Sequence, residues 1–243
     1  MQERSIVIIP TYNEIENIDS IITAVLRLEE NFHVLIVDDN SPDGTGDRVE
    51  EIKKQDSDRV FLLRRPGKQG LGTAYIAGFQ YCLEQGFDYI FEMDADFSHN
   101  PKDLLRLLEE LKNDQADVVI GSRYIGSGGV RDWPIDRIVL SFGASLYVRL
   151  ITWMNIKDPT AGFVGYKRKV LEALDLSKVK FVGYAFQIEM KFYSYKKGFR
   201  LKEVPIIFTD RVKGKSKMNS SIISEAIKGV LAITWKGIKG YYK

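Results

Sequence analysis

Five apolar, strand-like runs alternate with helical patterns over the first 125 residues, and no other feature restricts the fold as much. "SIVIIP", "FHVLIVDD", "RVFLLRR", "DYIFEMDAD" and "ADVVIGSRY" read as strands. Between them, residues 17–28, "GDRVEEIKKQ", "GTAYIAGFQYCLEQG" and "PKDLLRLLEELKN" carry helical spacing, the third with a glycine stop and the last with proline in its first turn. Such alternation implies an α/β fold: a Rossmann-like, mostly parallel sheet flanked by helices, with ligands beyond the carboxyl ends of the strands.

The second half is less regular. "IGSGGVRDWP" reads as a mobile Gly-rich loop and "DRIVLSFGASLYVRLITWM" as an apolar helix. "DPTAGFVGYKRKVLEAL" runs from a turn through a short strand into a helix; "FQIEMKFYSYKKG" is a helix and "RLKEVPIIFTD" a strand. The basic loop "RVKGKSKMNSS" precedes a last helix. The expectation is one domain over residues 1–218 with a C-terminal amphipathic helix over 219–243.

Length and composition are those of a folded domain: 243 residues, 44% apolar and 12% aromatic. One cysteine, Cys82, excludes an internal disulfide, suits a reducing compartment and reads as core rather than nucleophile. Two histidines, His33 and His99, cannot build a His-rich zinc site, so any metal must use oxygen ligands; His99 reads as a surface residue. "MQERSIVIIP" enters a strand at once, which leads us to expect no signal peptide, and no run approaches the roughly 20 apolar residues of a membrane span. The net charge of +2 hides an asymmetry: residues 191–243 carry 13 Lys and Arg against 3 Asp and Glu. A basic tail on an acidic body is expected to meet a polyanion, whether phosphate, a membrane surface or nucleic acid.

Acids gather where the strands end. Asp38 and Asp39 close the second strand, Asp94 and Asp96 the fourth, and Tyr12 and Glu14 follow the first. Residues i and i+2 of a strand share a face, so Asp94 and Asp96 would point together and repel unless a cation lay between them. Mg²⁺ and Mn²⁺ favour oxygen ligands and keep positions open for diphosphate oxygens, so the cluster points to a nucleotide and a divalent cation. "GKQGLG" and "VKGKSK" lack the spacing of phosphate-loop fingerprints.

"IPTYNE", "VDDNSPDGT", "GLGTAYIAGF", "MDADFSH" and "GSRYIGSGG" occur in the order seen in the family 2 inverting glycosyltransferases of the GT-A fold. "DWPIDR", "KDPTAGF" and "DRVKGKSKM" further resemble the dolichyl-phosphate (polyprenyl-phosphate) mannose synthase branch, so the likeness runs from residue 5 to about 218. It implies a metal-dependent transfer of mannose from GDP-mannose to a polyprenyl phosphate. Pro10, Tyr12, Glu14 and Asp39 would line the nucleotide pocket, and Asp94, Ala95 and Asp96 would hold the diphosphate through Mg²⁺ or Mn²⁺. Ser98, where many members carry Gln, would be the third metal contact, directly or through water. Arg123, Arg137, Arg211 and Lys217 would handle donor or acceptor phosphate, Arg211 and Lys217 on both sides, and Asp158 would face the sugar. Catalysis would rest on Asp94, Asp96, Arg123 and Asp158.

A phosphate acceptor is already ionised near neutral pH and needs positioning cations, whereas a hydroxyl acceptor would need a base, with Asp158 the first candidate. A UDP-glucose-dependent relative and a catalytically idle nucleotide-binding subunit remain alternatives. On a helical wheel, Ile222, Ile223, Ala226, Ile227, Val230, Leu231, Ile233 and Ile238 fall in one half, with Lys228, Lys236, Lys239 and Lys243 opposite. That pattern suggests a helix lying on a membrane, hence a cytoplasmic, peripherally attached protein, alone or with a membrane subunit, and no nucleic-acid partner.

Overall fold

Successive residues of the first strand, β1 (Ser5–Thr11), sort onto opposite faces of a sheet. Ile6 and Ile8 enter one core with Leu35 and Val37 of β2 (Phe32–Asp38), while Val7 and Ile9 enter a second with Val34 and Ile36. Both faces are therefore covered, which is why these strands are apolar throughout rather than alternating. The computed structural model describes residues 3–183, 185–210 and 220–242, with the side chains of the last helix described from Lys228 onward.

The remaining elements are α1 (Ile18–Leu26), α2 (Thr45–Gln55), β3 (Val60–Arg64), α3 (Leu71–Glu84), β4 (Tyr89–Glu92), α4 (Asp103–Lys112), β5 (Val118–Ser122) and β6 (Gly129–Arg131). They continue as α5 (Ile135–Thr152), β7 (Val164–Lys167), α6 (Arg168–Ala173), α7 (Ala185–Lys196), β8 (Leu201–Pro205), β9 (Ile207–Thr209) and α8 (Ser220–Ile238). Seven strands form one sheet in the order β3-β2-β1-β4-β7-β5-β8. Among them only β7 runs antiparallel to its neighbours. Helices α1 and α4 cover one face through Ile21, Ile22, Leu107 and Leu108. Helices α3 and α7 cover the other through Tyr75, Phe79, Phe186 and Met190. Cys82 lies in this second core, where burial pushes its thiol up and out of reach of nucleophilic chemistry.

Three local readings are corrected. The fourth strand stops at Glu92, so Asp94 and Asp96 lie in the following turn and not on a pleated face. The Gly-rich segment contains β6, which pairs with β9 in a small parallel sheet. The run "RLKEVPIIFTD" divides at Ile206, whose N–H donates to Ser122 of the large sheet while its carbonyl accepts from Gly129 of the small one. This pivot carries the chain from the sheet out over the site.

The last helix is not a free appendage in its described part. Val230, Ile233 and Tyr242 are buried in the core, and the Tyr242 hydroxyl donates to Glu189 at 2.6 Å, whereas Leu231, Trp235 and Ile238 face outward. The apolar half of the wheel is thus divided between core and surface.

β7 lies between β4 and β5 with neighbouring side chains packed closely over its glycine. A Cβ on Gly165 would lie 2.5 Å from Phe91 and 2.9 Å from Val119. Gly165→Ala should therefore lower stability by about 1–3 kcal/mol in urea unfolding. Gly143→Ala, where an added Cβ meets nothing within 4 Å, should be neutral or slightly stabilising.

Candidate active site

The carboxyl ends of β1, β2, β4 and β5 converge, and their loops carry the expected residues. Asp38 is consumed by architecture: its carboxylate accepts from Thr11 Oγ1 at 3.0 Å, Ser41 Oγ at 2.6 Å and the Ser41 N–H at 3.0 Å. Asp39 is buried against Arg65, 2.8 Å away; burial raises its carboxyl above the usual range, with the guanidinium pulling the other way. Arg65 also donates to Thr73 at the start of α3, so this ion pair joins two loops. Tyr12 is half-buried with the Lys68 ammonium 4.9 Å from its ring centre, and Pro10 is half-buried beside it in sequence. The Glu14 carboxylate accepts from Asn17, and its backbone carbonyl accepts from Asn17 and Ile18 at the head of α1.

The turn after β4 has its own internal logic. Asp96 Oδ1 accepts from the Ser98 N–H at 3.0 Å, and Phe97 between them takes the left-handed conformation at φ 59°. The Ser98 carbonyl accepts from Thr209, fastening the turn to β9. Asp94 is 40% exposed, and Ala95, Asp96 and Ser98 are buried or nearly so. Among the described residues no three His, Cys, Asp or Glu side chains gather into a metal cage. Two hard oxygen donors fit a cation that takes its other ligands from substrate and water.

His99 is buried, not on the surface. Its ring stacks on Phe163 at 4.9 Å and meets Phe208 edge-on, and its Nδ1 accepts from the Asp94 N–H at 3.4 Å. Burial pulls the imidazole down to about 4, with the Asp96 charge opposing and Arg123 assisting, so the ring is neutral near pH 7. Its position directly after the acid pair was the only sequence signal for this role.

Beyond His99 lie the cations. Asp158 has no exposed surface and receives three donations from Arg123: Nε at 2.7 Å, Nη2 at 2.7 Å and the backbone N–H at 3.0 Å. Burial alone would raise this carboxyl; the hydrogen bonds and charge of Arg123 outweigh it and hold Asp158 below the usual carboxylate range. Trp133 carries the second guanidinium, with Arg137 3.9 Å and Arg123 5.6 Å from its ring centre. Arg137 also pairs with Asp210 at 2.9 Å. A cavity of about 20 Å³, room for one water, lies between His99, Arg123, Ala161 and Phe208. Arg211 and Lys217 lie outside the described residues.

Several supporting residues were not singled out from sequence. Glu203 accepts from the backbone N–H groups of Lys157 and Asp158 at 2.7 and 2.8 Å. Lys191, fully buried, donates to the Ala161 carbonyl at 2.7 Å and to Gln187. A lone lysine four residues after Gln187 in the apolar run "FQIEMKFY" was the available clue.

The architecture and the acid turn belong to an enzyme class. Residues 6–175 match the sequence profile of glycosyl transferase family 2, and the chain belongs to that family. It is 48% identical to polyprenol monophosphomannose synthase of Mycolicibacterium smegmatis over 98% of this chain and 88% of the relative. It is 44% identical to undecaprenyl-phosphate mannosyltransferase of Micrococcus luteus over 97% of this chain and 98% of the relative. The fold is GT-A-like. It resembles glucosyl-3-phosphoglycerate synthase of Mycobacterium tuberculosis in complex with Mn²⁺, UDP and glucosyl-3-phosphoglycerate, with TM-score 0.68, 17% identity, and coverage of 96% of this chain and 80% of that one. A mannosyltransferase of Pyrobaculum calidifontis in complex with GDP-Man and Mn²⁺ gives TM-score 0.56 at 15% identity, covering 99% of this chain and 75% of that one.

The buried imidazole has a measurable consequence. Its proton affinity is depressed on folding from 6.5 to about 4, so His99 contributes stability that is complete above pH ~6.5 and falls away as the pH drops towards 4. The loss should reach about 3 kcal/mol, and urea midpoints of His99→Gln should decline less steeply than wild type across that interval.

Proposed function

We propose that the enzyme transfers mannose from GDP-mannose to a polyprenyl phosphate, with inversion, at a membrane surface. The observation that carries this reading is the state of Asp158. Its carboxylate is held by Arg123 below the usual range and excluded from water, which suits orienting a guanidinium and does not suit taking a proton. His99 is no better placed, since its Nδ1 already accepts from the backbone of Asp94. An acceptor whose oxygen is already ionised needs neither. A phosphate monoester is largely dianionic above its second pKa of about 6, so it can attack the sugar carbon once it is positioned. The names of the relatives at 48% and 44% identity supply the same acceptor class and the sugar.

The geometry supports the following roles. Asp94 and Asp96, with Ser98 as a third candidate, would hold Mg²⁺ or Mn²⁺, which supplies Lewis-acid stabilisation to the departing diphosphate. Pro10, Tyr12, Glu14 and the Asp39–Arg65 pair would line the nucleotide side. Arg123 and Arg137, set around Trp133, would grip the acceptor phosphate, joined by Arg211 and Lys217 of the basic loop. Asp158 acts through Arg123: it fixes the guanidinium in one orientation, so that little rotamer entropy remains to be lost when phosphate binds.

Turnover assays should show product from GDP-mannose and a short polyprenyl phosphate, and far less from UDP-glucose; the reverse preference would remove the sugar and base assignment. Asp96→Asn should lower turnover roughly a hundredfold or more and weaken Mn²⁺ binding in the presence of GDP by calorimetry. Arg137→Ala should raise the acceptor KM while GDP binding stays at the wild-type value. Equal weakening of both ligands would remove Arg137 from the acceptor side.

A further inference from the structure

The middle of α7 carries a charge that packing alone does not require. Ala185–Ser194 are all buried, and Lys191 stands among them with no exposed surface. Burying an ammonium is costly, and an apolar side chain of similar volume often serves stability equally well or better. What the lysine supplies is direction. Its three N–H groups meet three acceptors: the Ala161 carbonyl at 2.7 Å, the Gln187 carbonyl at 3.1 Å and Gln187 Oε1 at 3.2 Å. The Gln187 amide in turn donates to Glu92, the last residue of β4, at 2.5 Å.

The carbonyl that Lys191 holds belongs to a peptide with two available orientations. Flipping the unit between Ala161 and Gly162 turns ψ of the first and φ of the second by roughly half a turn, the difference between turn types I and II. Such a flip usually leaves the second residue with positive φ, which glycine adopts far more readily than other residues. Gly162 does not have positive φ, and an added Cβ would meet nothing within 4 Å, so the conformation present does not itself need glycine. In that conformation the trans peptide aims the Gly162 N–H away from Lys191. Ala161 donates its own N–H to the Asp158 carbonyl at 3.3 Å, and both Ala161 and Gly162 line the small cavity beside His99 and Arg123.

We propose that Lys191 is a positioning residue for the transfer: by holding the Ala161 carbonyl it keeps the 161–162 peptide in one orientation, and with it the turn that sets Asp158 against Arg123. The inference rests on the acceptor-phosphate role of Arg123 for its kinetic consequence, and on the hydrogen bonds alone for its structural one. Lys191 acts from beneath the turn, through Ala161 and Asp158.

Wild type, Lys191→Met, Gly162→Ala and the double variant together test this. With GDP-mannose and a short polyprenyl phosphate, Lys191→Met should lower kcat/KM for the acceptor roughly tenfold or more, the scale of loss expected from a misplaced binding group. GDP binding by calorimetry should stay within about twofold of wild type. On the Gly162→Ala background, where the flipped peptide is disfavoured, the same substitution should cost no more than about threefold. Hydrogen exchange over residues 158–163 should quicken in Lys191→Met and return towards wild type in the double variant. Should Lys191→Met fail to fold, Glu92→Gln with Lys191→Met takes its place on both backgrounds, removing both buried charges while Gln187 keeps an acceptor. Wild-type acceptor kinetics with unchanged exchange in the folded variant would overturn the proposal. So would equal losses on both backgrounds, or equal weakening of GDP and acceptor. If wild type turns over no polyprenyl phosphate, the acceptor reading falls, and the exchange comparison alone decides for or against Lys191.

Discussion

Asp158 keeps its charge without contact with water, and most of the site is built around making that tolerable. A buried carboxylate is costly unless paired and hydrogen-bonded, and removing one partner of such a pair typically costs 3–5 kcal/mol. Arg123 supplies the pair, Thr160 a further donor, and Glu203 clamps the backbone of the same turn. Lys191 holds the Ala161 carbonyl from beneath and reaches Gln187, which donates to Glu92 at 2.5 Å. Burial pulls the Lys191 ammonium below its usual range and pushes the Glu92 carboxyl above its own, and each opposes the other's shift. The ladder ties β4, β5, β8 and α7 to one turn.

That turn exists because β7 runs backwards. Reversing one strand between β4 and β5 delivers the residues before it, 158–162, to the edge where the forward strands end. A wholly parallel strand at this place would present its preceding loop at the opposite edge. The reversal sets Asp158 beside Arg123 and, with β9 fastened to Ser98, closes the acid turn against the arginines. The acid turn after β4 therefore faces a wall in which each guanidinium already has a carboxylate partner, Arg123 with Asp158 and Arg137 with Asp210.

That wall reaches the surface. Arg137 lies in the first turn of a helix whose exterior is apolar for most of its length, so a guanidinium at the edge of the site and an uncovered apolar stripe share one element.

Much of this was legible beforehand. The first five strands and the four helices between them, the acids at the ends of β2 and β4, and the basic bias of the last fifty residues all follow from patterns within a few residues, because helical and strand periodicities are local properties. The motif order also identified the family before any coordinates. Other features required contacts across the chain: the end of β4 before Asp94, the burial of His99 between Phe163 and Phe208, and the partition of α8 between core and surface. Asp158 read as a candidate base because nothing within its neighbourhood in sequence reveals that Arg123, thirty-five residues earlier, would occupy it. Helix α5 read simply as apolar, since composition cannot say which side faces inward. The sequence by itself determined the strand–helix alternation of the first half, the inventory of charges and the family. Tertiary structure alone decided which charges are paired and which apolar faces remain uncovered, since pairing and burial depend on neighbours that the chain supplies from far along its length.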